Sequence, residues 1–142
     1  MRRVKEILAH KGNDIWSIGP DATVYEAIHL LAEKEIGALL VLEGDALVGV
    51  ISERDYARNI ILKDKSSRAT LVNDIMTKDV ITAGPEEGVG ECMSMMTDKR
   101  VRHMPVLRDG RIIGVVSMGD LVRAVIAEQQ STIVDLEKYI SG

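Results

Sequence analysis

The chain has 142 residues, of which 46% are hydrophobic and 28% are charged, an ordinary balance for a globular protein. Its net charge of −4 argues against a nucleic-acid surface, because phosphate backbones need clustered lysine and arginine. The single cysteine excludes a disulfide framework, and His10, His29 and His103 lack the spacing of metal ligands. No apolar run approaches the length of a membrane span, and no apolar segment follows the basic N-terminal residues. We therefore expect a cytoplasmic protein.

Hydrophobic periodicity predicts six elements in the first half of the chain. In chain order they are a helix at 2–10, a strand at 15–18, a helix from about 21 to 35, strands at 38–42 and 47–51, and a helix from 52 to about 62. Gly12 ends the first helix, and Asp21 and Thr23 are candidate caps of the second. The Glu43-Gly44-Asp45 segment is the turn of a hairpin, and Ser52 opens the last helix.

The second half repeats this order after a polar linker at 63–71. Its predicted elements are a short helical segment at 71–76 that echoes the N-terminal helix, a strand at 80–82, a helix at 89–99, strands at 104–107 and 111–116, and a helix from 117. Residues 129–142 leave the repeat. Ile133, Leu136 and Ile140 make this tail amphipathic, and we expect it to pack on a partner or on the rest of the chain.

The strongest signal is an internal duplication. The seven residues from Gly49 to Asp55 recur from Gly114 to Asp120, and the two segments share glycine, valine, serine and aspartate at equivalent places. Repeats of this size are supersecondary units that each leave an apolar face uncovered, so that each unit needs the other. The sequence thus predicts an α/β fold, sandwich-like, of two β-α-β-β-α repeats related by a pseudo-twofold axis.

The β-α-β-β-α order, the tandem arrangement and the glycine-to-aspartate segment resemble a pair of cystathionine-β-synthase (CBS) domains, which is called a Bateman module. The segment from Ser52 to Arg58 is typical of stand-alone bacterial members. The resemblance covers residues 1–62 as motif 1 with its N-terminal helix, 63–71 as linker and 72–128 as motif 2, with 129–142 as an added tail. It implies a regulatory, non-catalytic homodimer that binds adenosine ligands such as AMP, ADP, ATP, NAD or S-adenosylmethionine.

Ser52 and Asp55, and likewise Ser117 and Asp120, stand three residues apart at a helix start. One interpretation is a capping box, in which the serine accepts from the aspartate amide and the carboxylate reaches back. The other is a ligand site, because a carboxylate at a helix start can accept two hydrogen bonds from a ribose diol. Both roles are compatible, and the resemblance favours the ligand site with capping as a second role.

Further ligand-binding candidates are Gly37, Ala38, Leu39, Arg54 and Arg58 in the first repeat, and Arg102, His103, Met104, Pro105 and Gly119 in the second. The cations among them would contact phosphate, or else form ordinary solvated charges. The apolar strand residues would sandwich adenine, although core packing is the commoner role of such residues. The two repeats differ, because Gly37-Ala38 stand where the second repeat has Arg102-His103. A dinucleotide such as NAD reaching between the two sites is one hypothesis.

Two other classes of function remain open at this stage. A small enzyme is one, but the sequence has no nucleophile–base pair, no phosphate-loop lysine and no hydrolytic carboxylate cluster. An interaction module whose sites hold no ligand is the other, since capping alone accounts for both serines and both aspartates. The sequence names neither the preferred ligand nor the regulated partner.

Overall fold

The computed structural model describes residues 2–141 and has a mixed α+β fold with two small sheets. Its elements in chain order are α1 (Val4–Lys11), β1 (Ser17–Ile18), α2 (Val24–Lys34), β2 (Ala38–Glu43), β3 (Ala46–Ser52), α3 (Glu53–Tyr56), a π-helical turn (Ala57–Ile61), α4 (Val72–Ile75), α5 (Val89–Lys99), β4 (His103–Arg108), β5 (Arg111–Ser117) and α6 (Met118–Ser141). None of these helices is both long enough and apolar enough to cross a bilayer.

The chain forms two compact units that do not coincide with the sequence repeats. The first-repeat unit is Ile15–Val80, and the second-repeat unit combines Met1–Asp14 with Ile81–Gly142. Helix α1 therefore belongs with the second repeat, whereas the sequence interpretation grouped it with the first. The reason is that α1 contacts β5 and α6, so its apolar face completes the core of the second repeat.

In the first-repeat unit, the sheet has the order β1-β2-β3, with β1 parallel and β3 antiparallel to β2. Its inner face is aliphatic and packs against α2, whose Thr23 hydroxyl accepts from the Glu26 amide at the N-cap. The predicted Thr23 cap is thus confirmed. Because a Thr cap satisfies an otherwise unpaired amide, α2 begins one residue after it and presents Val24, Ala27 and Leu31 to the core.

In the second-repeat unit, β4 and β5 form a two-stranded antiparallel sheet, and the strand predicted at 80–82 is wrong. Only Ala83 forms a bridge there, to Val106. In the first unit, the Leu40 amide donates to the Trp16 carbonyl and extends the parallel ladder. The equivalent residue of the second repeat is Pro105, which has no amide hydrogen. The ladder therefore lacks that bond.

Helices α1 and α4 occupy equivalent places in the two units. The Val72 amide donates to the Ala22 carbonyl, and the Val4 amide donates to the Glu87 carbonyl, which is the equivalent residue of the second repeat. A Cβ added to Gly49 would lie 2.6 Å from Met76 Sδ, and one added to Gly114 would lie 2.7 Å from Leu8 Cδ2. Both glycines therefore admit the close approach of a neighbouring helical segment, and this contact, not a ligand, occupies the space beside them.

The predicted tail is part of one long helix. Helix α6 runs without interruption from Met118 to Ser141, since no glycine or proline lies between Leu121 and Ser141. Its first turns pack against α5, α1 and β5, where Leu121 and Ala124 are buried. From Gln129 onward every described residue is exposed.

Candidate functional site

The first signature turn, which we define as Ser52 to Asp55, joins β3 to α3. The Ser52 hydroxyl accepts from the Asp55 amide at 3.2 Å, and Asp55 Oδ2 accepts from the Ser52 amide at 2.9 Å and from the Ser52 hydroxyl at 3.0 Å. The other carboxylate oxygen, Oδ1, accepts from the Thr77 hydroxyl at 3.2 Å. The capping box is therefore present, and it orients a half-buried carboxylate at the start of a helix.

The second signature turn, Ser117 to Asp120, joins β5 to α6 with the same backbone hydrogen bonds. The Ser117 amide donates to Asp120 Oδ2 at 2.8 Å, and the Asp120 amide donates to the Ser117 hydroxyl at 3.1 Å. Two cations also reach this carboxylate. Lys11 Nζ lies 2.7 Å from Oδ2, and Arg123 lies 2.7 Å from Oδ1.

These contacts set the charge state of Asp120. Burial raises the pKa of this carboxyl, but hydrogen bonds from Lys11 and from Ser117, together with the charge of Lys11, outweigh burial and lower the pKa below its ordinary value of 3.8. The side chain of Asp120 is 10% exposed, against 39% for Lys11 and 72% for Arg123. Asp120 is thus an ionised carboxylate near the surface, held on both oxygens.

Lys11 and Thr77 play matching parts in the two units. Thr77 pairs its backbone with Val50 in both directions and places its hydroxyl on Asp55. In the other unit, Lys11 Nζ donates to the carbonyl of Val115, the equivalent of Val50, at 2.9 Å and also binds Asp120. Because α1 extends one turn further than α4, a lysine side chain from its end reaches the place that a threonine occupies in the first unit.

The residues before the second strand of each repeat hold the signature turn by their backbone. The Glu53 amide donates to the Gly37 carbonyl at 3.1 Å, and the Met118 amide donates to the Arg102 carbonyl at 2.8 Å. Gly37 and Arg102 are equivalent positions, so this bond is a common feature of both units. Gly37 and Arg102, which the sequence predicted as ligand contacts, thus bind the start of the following helix through their backbone carbonyls. The Arg102 side chain is exposed at the strand end.

Three predicted adenine-contacting residues are core residues. Leu39, Met104 and Pro105 are fully buried, Leu39 in the core of the first-repeat unit and Met104 in that of the second. Leu39 and Met104 point into the two cores, whereas Pro105, which alternation places on the opposite face of β4 from Met104, is nevertheless fully buried. We therefore correct the sequence interpretation and leave all three out of the candidate site. Ala38 and His103, their strand neighbours, are partly exposed.

The remaining candidates lie around the signature turns. Arg54 and Arg58 are exposed, and Gly119 stands where the first repeat has Arg54. A Cβ on Gly119 would lie 3.3 Å from the Arg123 guanidinium, so glycine leaves room for the arginine that binds Asp120. Sequence reasoning missed Lys11 and Thr77. The sequence did contain a signal for Arg123 as a site residue, because it is the repeat equivalent of the candidate Arg58.

Other possible sites are weaker. No group of three or more histidine, cysteine, aspartate or glutamate side chains within residues 2–141 could hold a metal ion. A shallow pocket of about 350 Å³ lies on the first-repeat unit, and its lining contains none of the predicted residues; it consists of Ile18, Tyr25, Glu26, His29, Leu30 and Glu33. The signature turns remain the candidate site, because in both repeats they combine a helix start with an aspartate that is oriented by a serine.

Comparison with known proteins identifies the repeats. The family model described as CBS domain matches residues 4–62 and 72–127. The protein "CBS domain-containing protein CBSX3, mitochondrial" of Arabidopsis thaliana is 42% identical over 98% of this chain and 72% of its own length. A solved CBS-domain protein of Burkholderia ambifaria MC40-6 is 48% identical over 90% of this chain and 96% of its own, with a TM-score of 0.87. The CBS domain pair of protein MJ0100, solved in complex with 5′-methylthioadenosine and S-adenosyl-L-methionine, is 26% identical over 90% of this chain and 98% of its own, with a TM-score of 0.79.

Proposed function

Because this chain belongs to the CBS domain family, we propose that it is a non-catalytic regulatory module that binds an adenosine-containing ligand at its signature turns. The observation that carries the proposal is the hydrogen bonding of the Asp55 and Asp120 carboxylates. Each is oriented by a serine at a helix start. A carboxylate held in this way can accept both hydroxyls of a ribose. The adenosine-type ligands of the MJ0100 pair support this class of ligand.

The two sites are expected to differ in affinity. At Asp55, a ribose hydroxyl would exchange with the Thr77 hydroxyl, which replaces one uncharged donor by another. At Asp120, the ligand must share the carboxylate with the ammonium of Lys11 and the guanidinium of Arg123. Displacing a charged donor from a carboxylate costs more than displacing a hydroxyl, because the opposite charges of donor and acceptor also attract each other. We infer that the first-repeat site fills first.

The cations near the signature turns favour a phosphorylated ligand. Arg54 and Arg58 are exposed on the turns that follow Ser52, one helical turn apart. Arg102 is exposed at the strand end of the second repeat. We therefore expect AMP, ATP or NAD to bind more tightly than adenosine, and the advantage to shrink as salt rises. S-adenosylmethionine, which lacks phosphate, is the test of whether the ribose contact alone suffices.

The proposal includes a cytoplasmic homodimer. Small repeats with aliphatic helix faces need a partner surface, and a twofold dimer of identical chains is the commonest solution. Ligand binding would then bias the relative stability of alternative arrangements and so regulate a partner protein. The alternative is an interaction module without a ligand, and the capping boxes support it, because each serine and aspartate already satisfies the other.

Isothermal titration with AMP, ATP, NAD and S-adenosylmethionine separates the two functions. We expect binding to the unmodified protein and a loss of about 1.5–3 kcal/mol in binding free energy for Asp55→Asn at the first site, as for a hydrogen bond to a charged group. Asp45→Asn, which changes a carboxylate in the β2–β3 turn, is the matched control and should bind normally. If no adenosine compound binds the unmodified protein, the interaction module is the correct function.

A further inference from the structure

Helix α6 exposes a stripe of large apolar side chains that no part of the described chain covers. Relative exposure along it is 38% for Val122, 48% for Ile126, 55% for Ile133, 56% for Leu136 and 82% for Ile140. From Gln129 to Ser141 every residue is exposed on all sides of the helix. An isolated helix of this length is marginal in water, because most helical stability comes from packing an apolar face. The end of α6 therefore needs a partner.

The stripe has the spacing of a coiled coil. Val122, Ile126, Gln129, Ile133, Leu136 and Ile140 follow one another at alternating steps of four and three residues. This is the heptad pattern, with isoleucine at every a position and valine, glutamine and leucine at the successive d positions. β-Branched residues at a with leucine at d favour two parallel strands. Isoleucine at every a position and Leu136 at one of the three d positions agree with this preference, so the pattern indicates a helical partner and is compatible with a two-stranded pair.

The stripe lies away from the face that holds α6 to its own unit. Leu121 and Ala124 are the buried residues of the helix, and they occupy the c and f positions of the same heptads. Those positions are on the opposite side of a helix from a and d. Packing within the chain therefore leaves the stripe partly exposed at Val122 and Ile126 and exposed at every position from Gln129 onward.

We propose that the partner is α6 of a second copy of this chain, in a parallel and in-register pair. Gln129 is the one polar member of the stripe, and in this arrangement it faces Gln129 of the partner subunit, so that the two amides can bond to each other. In an antiparallel pair the same amide would face isoleucine and lose its hydrogen bonds on burial.

The charges beside the stripe are compatible with self-pairing. Across a parallel pair, Glu137 faces Thr132 of the partner subunit, and Arg123 faces Met118 of the partner subunit. Neither contact brings like charges together, so an identical helix meets no electrostatic penalty. Apart from Arg123 and Glu137, the flanking positions are uncharged, so the stripe offers a partner with strongly charged flanks few complementary residues.

Sedimentation equilibrium of the full chain and of three variants tests the surface. Ile133→Asp and Leu136→Asp place a charge in the seam and should weaken the dimer roughly 30-fold or more, as for a central interface residue. Val134→Asp is the matched control, because Val134 is 47% exposed and apolar but stands at position b, outside the seam. It should leave the dimer unchanged. Circular dichroism should show that all three variants remain folded, since these positions make no core contact.

Disulfide trapping tests the direction. Leu136→Cys should form a covalent dimer rapidly on mild oxidation, because in-register d positions lie opposite each other; Val134→Cys should not. Cys92 is buried and does not compete. Failure of Leu136→Cys to link in a dimeric protein would overturn the parallel pair.

The inference rests on the homodimer in the proposed function, and the outcomes separate the two. If the unmodified chain is a monomer, both the proposed homodimer and the pairing through α6 are wrong. A dimer that survives Ile133→Asp would overturn the role of α6 alone. Dissociation by Val134→Asp as strongly as by Ile133→Asp would also overturn it, because the seam would then not be specific. Ligand titration is an independent measurement and does not enter this test.

Discussion

Lys11 Nζ and Asp120 Oδ2 are 2.7 Å apart, although 109 positions separate the two residues in the chain. Through this contact the end of α1 is joined to the signature turn of the second repeat. The equivalent carboxylate, Asp55, is contacted by the hydroxyl of Thr77. Two turns with the same local geometry thus have neighbours of different charge, and the two candidate sites are chemically distinct.

Lys11→Met should make the second site easier to fill. The substitution removes an ammonium that competes with ribose for Asp120 but leaves Arg123 in place. The lysine is partly exposed, so the competing ion pair is weak, and we expect affinity at the second site to rise roughly two- to fivefold. Two-site titration with AMP measures this, with Lys99→Met as control. A fall in affinity would mean that Lys11 contacts the ligand itself, contrary to this prediction.

Asp120 should make stability depend on pH in acid. Its folded-state pKa lies below the ordinary value of 3.8, so the unfolded chain takes up the proton first as pH falls. The stability that this carboxylate contributes is complete above about pH 5 and is lost as pH drops through the folded-state pKa. Lys11→Met raises that pKa, so the variant should lose less stability than the unmodified protein between about pH 5 and pH 3.

Urea titrations at several pH values measure this difference directly. Lys99→Met again serves as the control, because it removes a lysine that lies outside the cluster around Asp120. Parallel pH profiles for Lys11→Met and the unmodified protein would show that Lys11 does not shift the titration of Asp120. The prediction would then be wrong.

The two strand glycines should differ in their tolerance of alanine. A Cβ on Gly49 would meet the Thr77 backbone carbonyl at 2.9 Å as well as the Met76 side chain, whereas a Cβ on Gly114 meets only the Leu8 side chain. A backbone atom moves less readily than the end of a leucine. We expect Gly49→Ala to cost about 2–3 kcal/mol of unfolding free energy and Gly114→Ala about 1 kcal/mol.

Gly84→Ala is the control for the glycine series, because nothing lies within 4 Å of the added carbon. It should leave the free energy of unfolding unchanged or raise it by about 0.4–1 kcal/mol, because alanine reduces the conformational entropy of the unfolded chain. Chemical denaturation of the three variants decides the order. Equal losses for Gly49→Ala and Gly114→Ala would contradict the distinction between backbone and side-chain neighbours.

Cys92 should resist thiol reagents in the folded protein. Burial, together with the nearby charge of Glu87, raises the pKa of its thiol to about 11. At pH 8 only about one thiol in a thousand would then be the reactive thiolate. We expect labelling to follow unfolding, with a rate that increases in urea alongside the unfolded fraction. Rapid stoichiometric labelling in native buffer would show that the thiol is accessible.

Local chemistry made much of the fold predictable. Helix α5 has the predicted bounds, Val89 and Lys99. Its apolar periodicity and its ends both depend on residues that are close together along the chain. The prediction of a strand at 80–82 was wrong for a reason that depends on which strands pair in the fold. Pro105 reads as an apolar strand residue, and its missing amide matters only when a neighbouring strand needs a donor.

The candidate site divides in the same way. The signature turns were predictable, because serine and aspartate three residues apart at a helix start contact each other whatever surrounds them. The assignment of Leu39 and Met104 to the site was wrong, because a fully buried apolar residue and a ligand-contacting one have the same appearance in a short strand.

By itself, the sequence determined the duplication, the two serine–aspartate turns and the heptad spacing of α6, since all three depend on residues close together along the chain. Only the tertiary structure decided that α1 packs with the second repeat, that Lys11 reaches Asp120, and which faces of α6 are buried. Contacts between distant segments depend on which apolar faces bury together, and that choice is made by the packing of the whole unit.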